Sequence, residues 1–235
     1  LVHFGRAELL RSPEMHQINE RAEENGFQLH ASVLNAADYG APQTRKRTVT
    51  IGAKSDLFSF GILLPEPTHT GRWRTVREAI GDLPDPEGTE IRDEEPPLDL
   101  HFGRNPTKKS RERYEAVPPG GNRFDLQKNA PELLPECWRK KTSGGTDIFG
   151  RLWWDRPSVT IRTEFFKPEK GRYLHPEKPR PITHREAARL MGFPDSFLFR
   201  GSKTEIARQI GNAVPPSMAG AVARQVKEAL DGIAK

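Results

Sequence analysis

Gln43, Arg45 and Arg47 occupy alternate positions in the run Asn35-Ala-Ala-Asp-Tyr-Gly-Ala-Pro-Gln-Thr-Arg-Lys-Arg47. On an extended strand, residues two apart project to the same side, so both guanidinium groups can face one site. Arginine stays charged and presents a rigid fork of donors, which suits it to a carbonyl oxygen where negative charge develops. A surface strand with exposed cations satisfies the same spacing. A second dense run, Gln209-Ile-Gly-Asn-Ala-Val-Pro-Pro216, sets a Gly-Asn turn ahead of two prolines. Such a turn can open a helix whose first N–H groups donate to a carboxylate. Asn212 serves equally well as a plain N-cap.

The elements that must position these residues are legible around them. Ser12 as N-cap, Pro13 in the first turn, apolar Met15, Ile18 and Ala22, and Gly26 beyond the end predict a helix. Phe27–Leu34 and Thr48–Gly52 predict strands, with Asn35–Pro42 a loop between them. A helix is expected at Thr75–Ile80. A capping box of Thr183 and Glu186 starts another, which Gly192 ends. The last helix is predicted to start at Asn212, with Val214, Met218, Val222, Val226 and Leu230 forming its apolar stripe. Between them the chain is rich in proline, glycine and charge, and stretches such as Pro118–Gly121 and Lys141–Gly145 read as loops hung on short strands.

Charge divides the 235-residue chain unevenly. Residues 56–100 hold four Lys and Arg against eleven Asp and Glu, a net −7, while residues 101–180 hold eighteen against ten, a net +8. Concentrated cations are what a phosphate-binding face requires, and the sign change suggests a boundary near residue 100. The single Cys137 excludes an internal disulfide and a multi-cysteine zinc site, and nothing in its Pro-Glu-Cys-Trp context specifies a reactive thiolate. No metal site is expected. No apolar run approaches membrane-spanning length and no signal peptide is recognisable, so a cytoplasmic protein without a membrane partner is expected.

The two runs, together with Arg180-Pro-Ile-Thr-His-Arg-Glu-Ala-Ala-Arg-Leu-Met-Gly-Phe-Pro-Asp195, resemble the eighth, tenth and ninth ordered motifs of bacterial DNA (cytosine-5-)-methyltransferases. Three blocks in the family's order are far more specific than one. The family's Phe-x-Gly-x-Gly, Pro-Cys and Glu-Asn-Val elements have no counterpart here, so the expectation is a C-terminal portion, inactive without an N-terminal half or subunit. The implied fold is α/β: a partial Rossmann-like domain using S-adenosylmethionine, plus a smaller, mixed, loop-rich target-recognition domain. The implied division is residues 1–60 catalytic, 61–204 target recognition with the ninth motif, and 205–235 a helix returning to the catalytic domain.

By this resemblance Arg47 contacts a cytosine flipped out of double-stranded DNA, Arg45 positions the active-site groups and Gln43 supports the loop. Asn212 and Ala213 contact S-adenosylmethionine, Ala213 standing where the family commonly has a serine. The stretches Asp147–Thr163 and Gly171–Pro176 resemble the edge of the target-recognition domain, which places Arg151, Thr160, Arg162, Thr163 and Arg172 at the DNA. A non-catalytic DNA-binding module is the competing reading.

Overall fold

The computed structural model describes residues 2–58, 61–139 and 143–233. Strand β1 (Val2–Arg6) leads through a 3-10 turn into helix α1 (Pro13–Glu24), then strand β2 (Phe27–Asn35) and strand β3 (Lys46–Lys54). The Ser12 hydroxyl caps α1 by accepting from the Met15 amide. Met15 is the residue of the predicted apolar face that is buried, whereas Ile18 is 43% exposed.

β3 lies between β1 and β2 and is antiparallel to both. β1 and β2 therefore run parallel, joined by α1, with the return strand inserted between them. The 3-10 turn Ala36–Tyr39 and the few residues after it are too short for a crossover helix, so β3 can only come back antiparallel. The result is an α/β arrangement with a small sheet. Its ladders are antiparallel among the described residues, in place of the parallel pairs a Rossmann-like sheet would show.

As the central strand, β3 is buried on both faces. Val49, Ile51 and Ala53 form a core with Val222 of helix α8 (Pro216–Ile233), and Thr48 donates from its hydroxyl to the Arg6 carbonyl. Met218 and Ala221 of α8 pack on Ala36, Tyr39 and Ala41, so the last helix seats the loop that precedes Gln43.

The middle of the chain is held by short helices in place of the expected short strands. The helix expected at Thr75–Ile80 is helix α2 (Val76–Ile80), with Thr75 as its N-cap, closed by Glu78 as a capping box. Helices α3 (Lys108–Glu115), α4 (Arg123–Asn129) and α5 (Glu136–Arg139) follow, α4 with an Asn122 and Asp125 capping box. Of the predicted loop Lys141–Gly145, Lys141 and Thr142 lie outside the described residues. Tyr114, Val117, Leu126, Phe149 and Leu174 form one core there. A larger core joins α2 to helix α6 (His184–Met191) and helix α7 (Lys203–Asn212), with Leu100, Leu152, Ile161 and Phe165 between them. Thr183 and Glu186 make the predicted capping box of α6, and Gly192 ends it at φ +87°.

The predicted start of the last helix at Asn212 is corrected: Asn212 is the final residue of α7, and α8 begins at Pro216. Pro215 disfavours helical backbone in the residue before it and has no N–H to continue a helix, and Ala213 is already extended at ψ +151°.

Candidate base and DNA site

The loop Pro42–Arg45 is pinned along the segment 158–161, far away in sequence. The Ser158 backbone bridges the loop, its amide donating to the Pro42 carbonyl at 3.0 Å and its carbonyl accepting the Thr44 amide at 2.8 Å. Gln43, fully buried, donates from Nε2 to the Leu190 carbonyl at 2.9 Å and accepts the Ile161 amide on Oε1 at 3.2 Å. One carboxamide thus ties the Gln-x-Arg-x-Arg loop both to α6 and to the segment beside it. Thr160 donates from its hydroxyl to the Thr44 carbonyl at 2.9 Å and accepts, on its own carbonyl, the Tyr173 hydroxyl at 3.0 Å. Burial pushes that phenol up to about 12, so it remains a donor at neutral pH.

Arg45 and Arg47 line one cavity of about 850 Å³, together with Arg6, Glu8, Arg162 and Asn212. Their situations differ. Arg45 is 2% exposed and its guanidinium bridges two backbone carbonyls, Ile161 O at 2.7 Å and Gly211 O at 2.8 Å. Gly211 belongs to the last turn of α7, where unsatisfied carbonyls carry partial negative charge, so a cation is well placed there. Burial lowers the Arg45 guanidinium to about 10, which leaves it charged at neutral pH. Its Nε has no partner among the described residues.

Arg47 is half-buried and, among the described residues, its guanidinium donates only to the adjacent Lys46 carbonyl, so most of its fork is available to the cavity. Burial pulls its pKa down while Glu8 across the cavity opposes the shift. Arg162 is exposed, its guanidinium has no hydrogen bond or ion pair among the described residues, and it lines both this cavity and an adjoining one of about 490 Å³. Thr44 and Thr160 also belong to both, so the two form one cleft.

Gly211 is required where it stands. A Cβ there would lie 2.3 Å from the Thr163 amide nitrogen and 2.5 Å from the Arg162 carbonyl carbon, both backbone atoms. The close crossing of α7 over residues 162 and 163 is what brings Thr163, Asn212 and Arg45 together. Asn212 is exposed at the cavity edge and Ala213 is half-buried. The expected N–H-bearing helix start is absent at this point, because Gly211 and Asn212 end a helix and present its carbonyl side.

Two residues expected at the DNA have another occupation. Arg151 is 3% exposed and its guanidinium donates to four carbonyls: Val117 at 2.9 Å, His175 at 2.7 Å, Lys178 at 2.6 Å and Tyr114 at 2.5 Å. Arg172 is equally buried, donates to Gly120, Gly121, Arg151 and Thr146 carbonyls and to Asp147, and lies 3.9 Å from the Trp153 ring centre. A buried guanidinium must have its donors satisfied, and here loop carbonyls satisfy them, leaving no fork for a phosphate. Both knit the loops of the middle segment.

Arg6, Glu8 and Thr44 went unrecognised in the sequence. Val2–Arg6 is too short and too weakly alternating to announce the strand that carries Arg6, and the 3-10 turn after it that carries Glu8, to the cavity.

The family model for C-5 cytosine-specific DNA methylase matches residues 8–228. The type II methyltransferase M1.HphI of Haemophilus parahaemolyticus is 37% identical over 211 residues, covering 89% of this chain and 50% of the relative. The type II methylase M.HgiDII of Herpetosiphon aurantiacus is 36% identical, covering 90% of this chain and 58% of the relative. The chain therefore spans about half the length of the curated relatives it matches. A crystal structure of a DNA modification methyltransferase encoded within an E. coli prophage aligns at TM-score 0.69 and 23% identity, covering 98% of this chain and 69% of that one. S. pombe Dnmt2 methyltransferase aligns at TM-score 0.56 and 14% identity, covering 97% and 66%, a likeness of fold alone.

These spans overturn the expectation of a C-terminal portion. The methylase model runs along nearly the whole chain and the relatives align over about nine-tenths of it, so the match reads as the catalytic part of such an enzyme. Through residues 8–228 the chain belongs to the C-5 cytosine-specific DNA methylase family.

Proposed function

We propose that this chain binds double-stranded DNA along the cleft that runs from Arg47 to Arg162 and holds a flipped cytosine at Arg47, for methylation at carbon 5. The observation that carries this reading is the division of labour between the two arginines. Arg45 is locked to two carbonyls as part of the wall, while Arg47 stands beside it with donors to offer. A cytosine carbonyl oxygen gains negative charge when a nucleophile adds to the ring, and a guanidinium held by a buried scaffold can stabilise that charge without reorganising. Gln43 and Arg45 act as positioning residues, and Thr160, Arg162 and Thr163 face the phosphates. Arg151 and Arg172 are left out of this face. DNA is the substrate expected of the family, and the type II relatives support a role in a restriction–modification system.

S-adenosylmethionine is the methyl donor of the family. The residues here fit part of its site: the exposed Asn212 carboxamide can donate to a carboxylate at the cavity edge, with Ala213 contributing backbone alone. The thiolate that adds to carbon 6 is a different matter. Cys137 is exposed and lines no part of the cleft, and the sequence has no Pro-Cys or Glu-Asn-Val. We propose that a separate polypeptide supplies that thiolate, and that this chain alone transfers no methyl group. In domain terms, residues 1–60 with residues 205–235 form the part that meets the donor, and residues 61–204 the part that meets DNA.

The test is transfer of label from S-adenosylmethionine to duplex DNA by the purified chain, alone and mixed with a polypeptide carrying those elements. Transfer only in the mixture is expected. Robust transfer by the chain alone would overturn the reading.

A further inference from the structure

Away from the cleft, a cavity of about 300 Å³ opens between the loop Phe102–Asn105, residue Phe166 and the first turns of α6 and α7. It shares no lining residue with the cleft around Arg47. We propose that this cavity is a second binding site, for a nucleotide, with the base among the rings of Phe102, Phe166 and His184 and the phosphate on Arg104 and Lys203.

Three rings form one wall. The His184 ring is 4.7 Å from that of Phe102 and lies nearly parallel to that of Phe166, at 5.9 Å and 11°. A purely apolar ligand would find no reason to prefer this place, because His184 brings a polar atom to it. His184 is 5% exposed, and its Nε2 lies 2.9 Å from the Lys203 carbonyl oxygen. A carbonyl can only accept, so Nε2 carries the hydrogen and Nδ1 is left as an acceptor. Nδ1 has no partner among the described residues. Burial holds His184 down at about 4, so the ring is neutral at pH 7 and the acceptor persists. The exocyclic amino group of a nucleobase is a planar-ring donor of the kind this wall can take, and aromatic side chains stack on any base.

The rim supplies the other half of a nucleotide site. Arg104 is exposed, commits one N–H to the Phe166 carbonyl and sits over the Phe166 ring, which leaves the rest of its fork outward. Lys203 donates to the Thr89 carbonyl and to Glu90, and its third N–H remains. The Glu90 side chain is largely solvated, so this ion pair competes weakly with a phosphate. Asn105 and Thr204 add neutral donors beside the two cations. A second cavity of about 400 Å³ meets the first at Arg104 and exposes Arg111, which has no ion pair among the described residues. A nucleotide within a strand would place its next phosphate there, whereas a free mononucleotide would not reach it.

The experiment titrates the full chain, isotopically labelled at histidine, with deoxyadenosine monophosphate, a hexameric oligodeoxyadenylate and inorganic phosphate, following the His184 ring by NMR. The monophosphate is expected to bind saturably and to shift the His184 signal. Both Phe166→Leu and Arg104→Ala should weaken it by roughly fivefold or more, and Arg47→Ala should leave it unchanged. A hexamer that binds more tightly than the monophosphate, with the gain lost in Arg111→Ala, identifies nucleic acid as the source. Equal affinities identify a free nucleotide. Should Phe166→Leu fail to give the parent circular dichroism, Lys203→Met takes its place. The proposal is overturned by absence of saturable binding, by binding that these substitutions leave unaltered, or by phosphate binding as tightly as the monophosphate.

Discussion

Replacing Gly211 by alanine adds one methyl group to a position where backbone already stands. The new Cβ would meet the Thr163 nitrogen at 2.3 Å, the Arg162 carbonyl carbon at 2.5 Å and the Thr163 Cα at 2.6 Å, against 3.4 Å for ordinary contact. None of these atoms is the end of a flexible side chain, so α7 and residues 162 and 163 must part by about 1 Å. Overpacking of this kind costs about 1–3 kcal/mol. The separation also strains the bond from the Arg45 guanidinium to the Gly211 carbonyl, and hydrogen bonds to charged groups are worth about 1.5–3 kcal/mol. Partial relaxation will recover some of each, so a destabilisation of about 2–4 kcal/mol is expected, with Arg162 and Thr163 displaced from the cleft. Urea unfolding measures the first and salt-dependent DNA affinity the second. Gly232→Ala in α8, where a Cβ meets nothing within 4 Å, serves as the control and should stabilise by up to about 1 kcal/mol. A Gly211→Ala protein within about 0.5 kcal/mol of the parent, with unchanged DNA binding, would refute the close-crossing argument.

Arg47→Ala, assayed where methyl transfer occurs, should lower turnover far more than DNA affinity, because its contact forms with the flipped base while most binding comes from phosphates; equal losses would place Arg47 on the DNA backbone. Arg162→Ala should flatten the plot of log affinity against log salt by about one unit, and an unchanged slope would remove it from the DNA face. Arg151→Met should instead lower the urea midpoint by leaving four carbonyls without their donor, and parental stability would contradict the knitting role. Burial lowers His101, and holds His175 and His184 at about 4, against an ordinary 6.5. The unfolded chain therefore takes up protons that the folded one refuses, so stability is full above pH 6.5 and falls as pH drops toward 4. Glu186 and Asp195, both held below the usual carboxylate range, add to the loss only at lower pH. Unfolding midpoints flat between pH 6.5 and 5 would show that the histidines are not buried neutral.

What the sequence determined by itself was local. The Ser12 and Thr183 caps, the short helix ending at Ile80, the two strands around Gln43 and the stop at Gly192 follow from residue types within a few positions of each other, and each is present. The shared cavity of Arg45 and Arg47 was legible for the same reason, since their spacing sets a common side. The break at Pro215 was equally local, written in the proline, and should have divided α7 from α8 on sight. Tertiary structure decided which cations are free. Arg151 and Arg162 look alike along the chain, yet one is enclosed by carbonyls of residues 114, 117, 175 and 178 and the other opens on a cleft. Long-range packing sets a guanidinium's partners, and no spacing rule reaches from residue 45 to residues 161 and 211. The same holds for Arg6, which a five-residue strand carries to the cavity through its ladder with β3, and for Glu8 in the turn that follows. Composition supplied the charges, and only the fold assigned some of them to hold loops and others to meet a substrate.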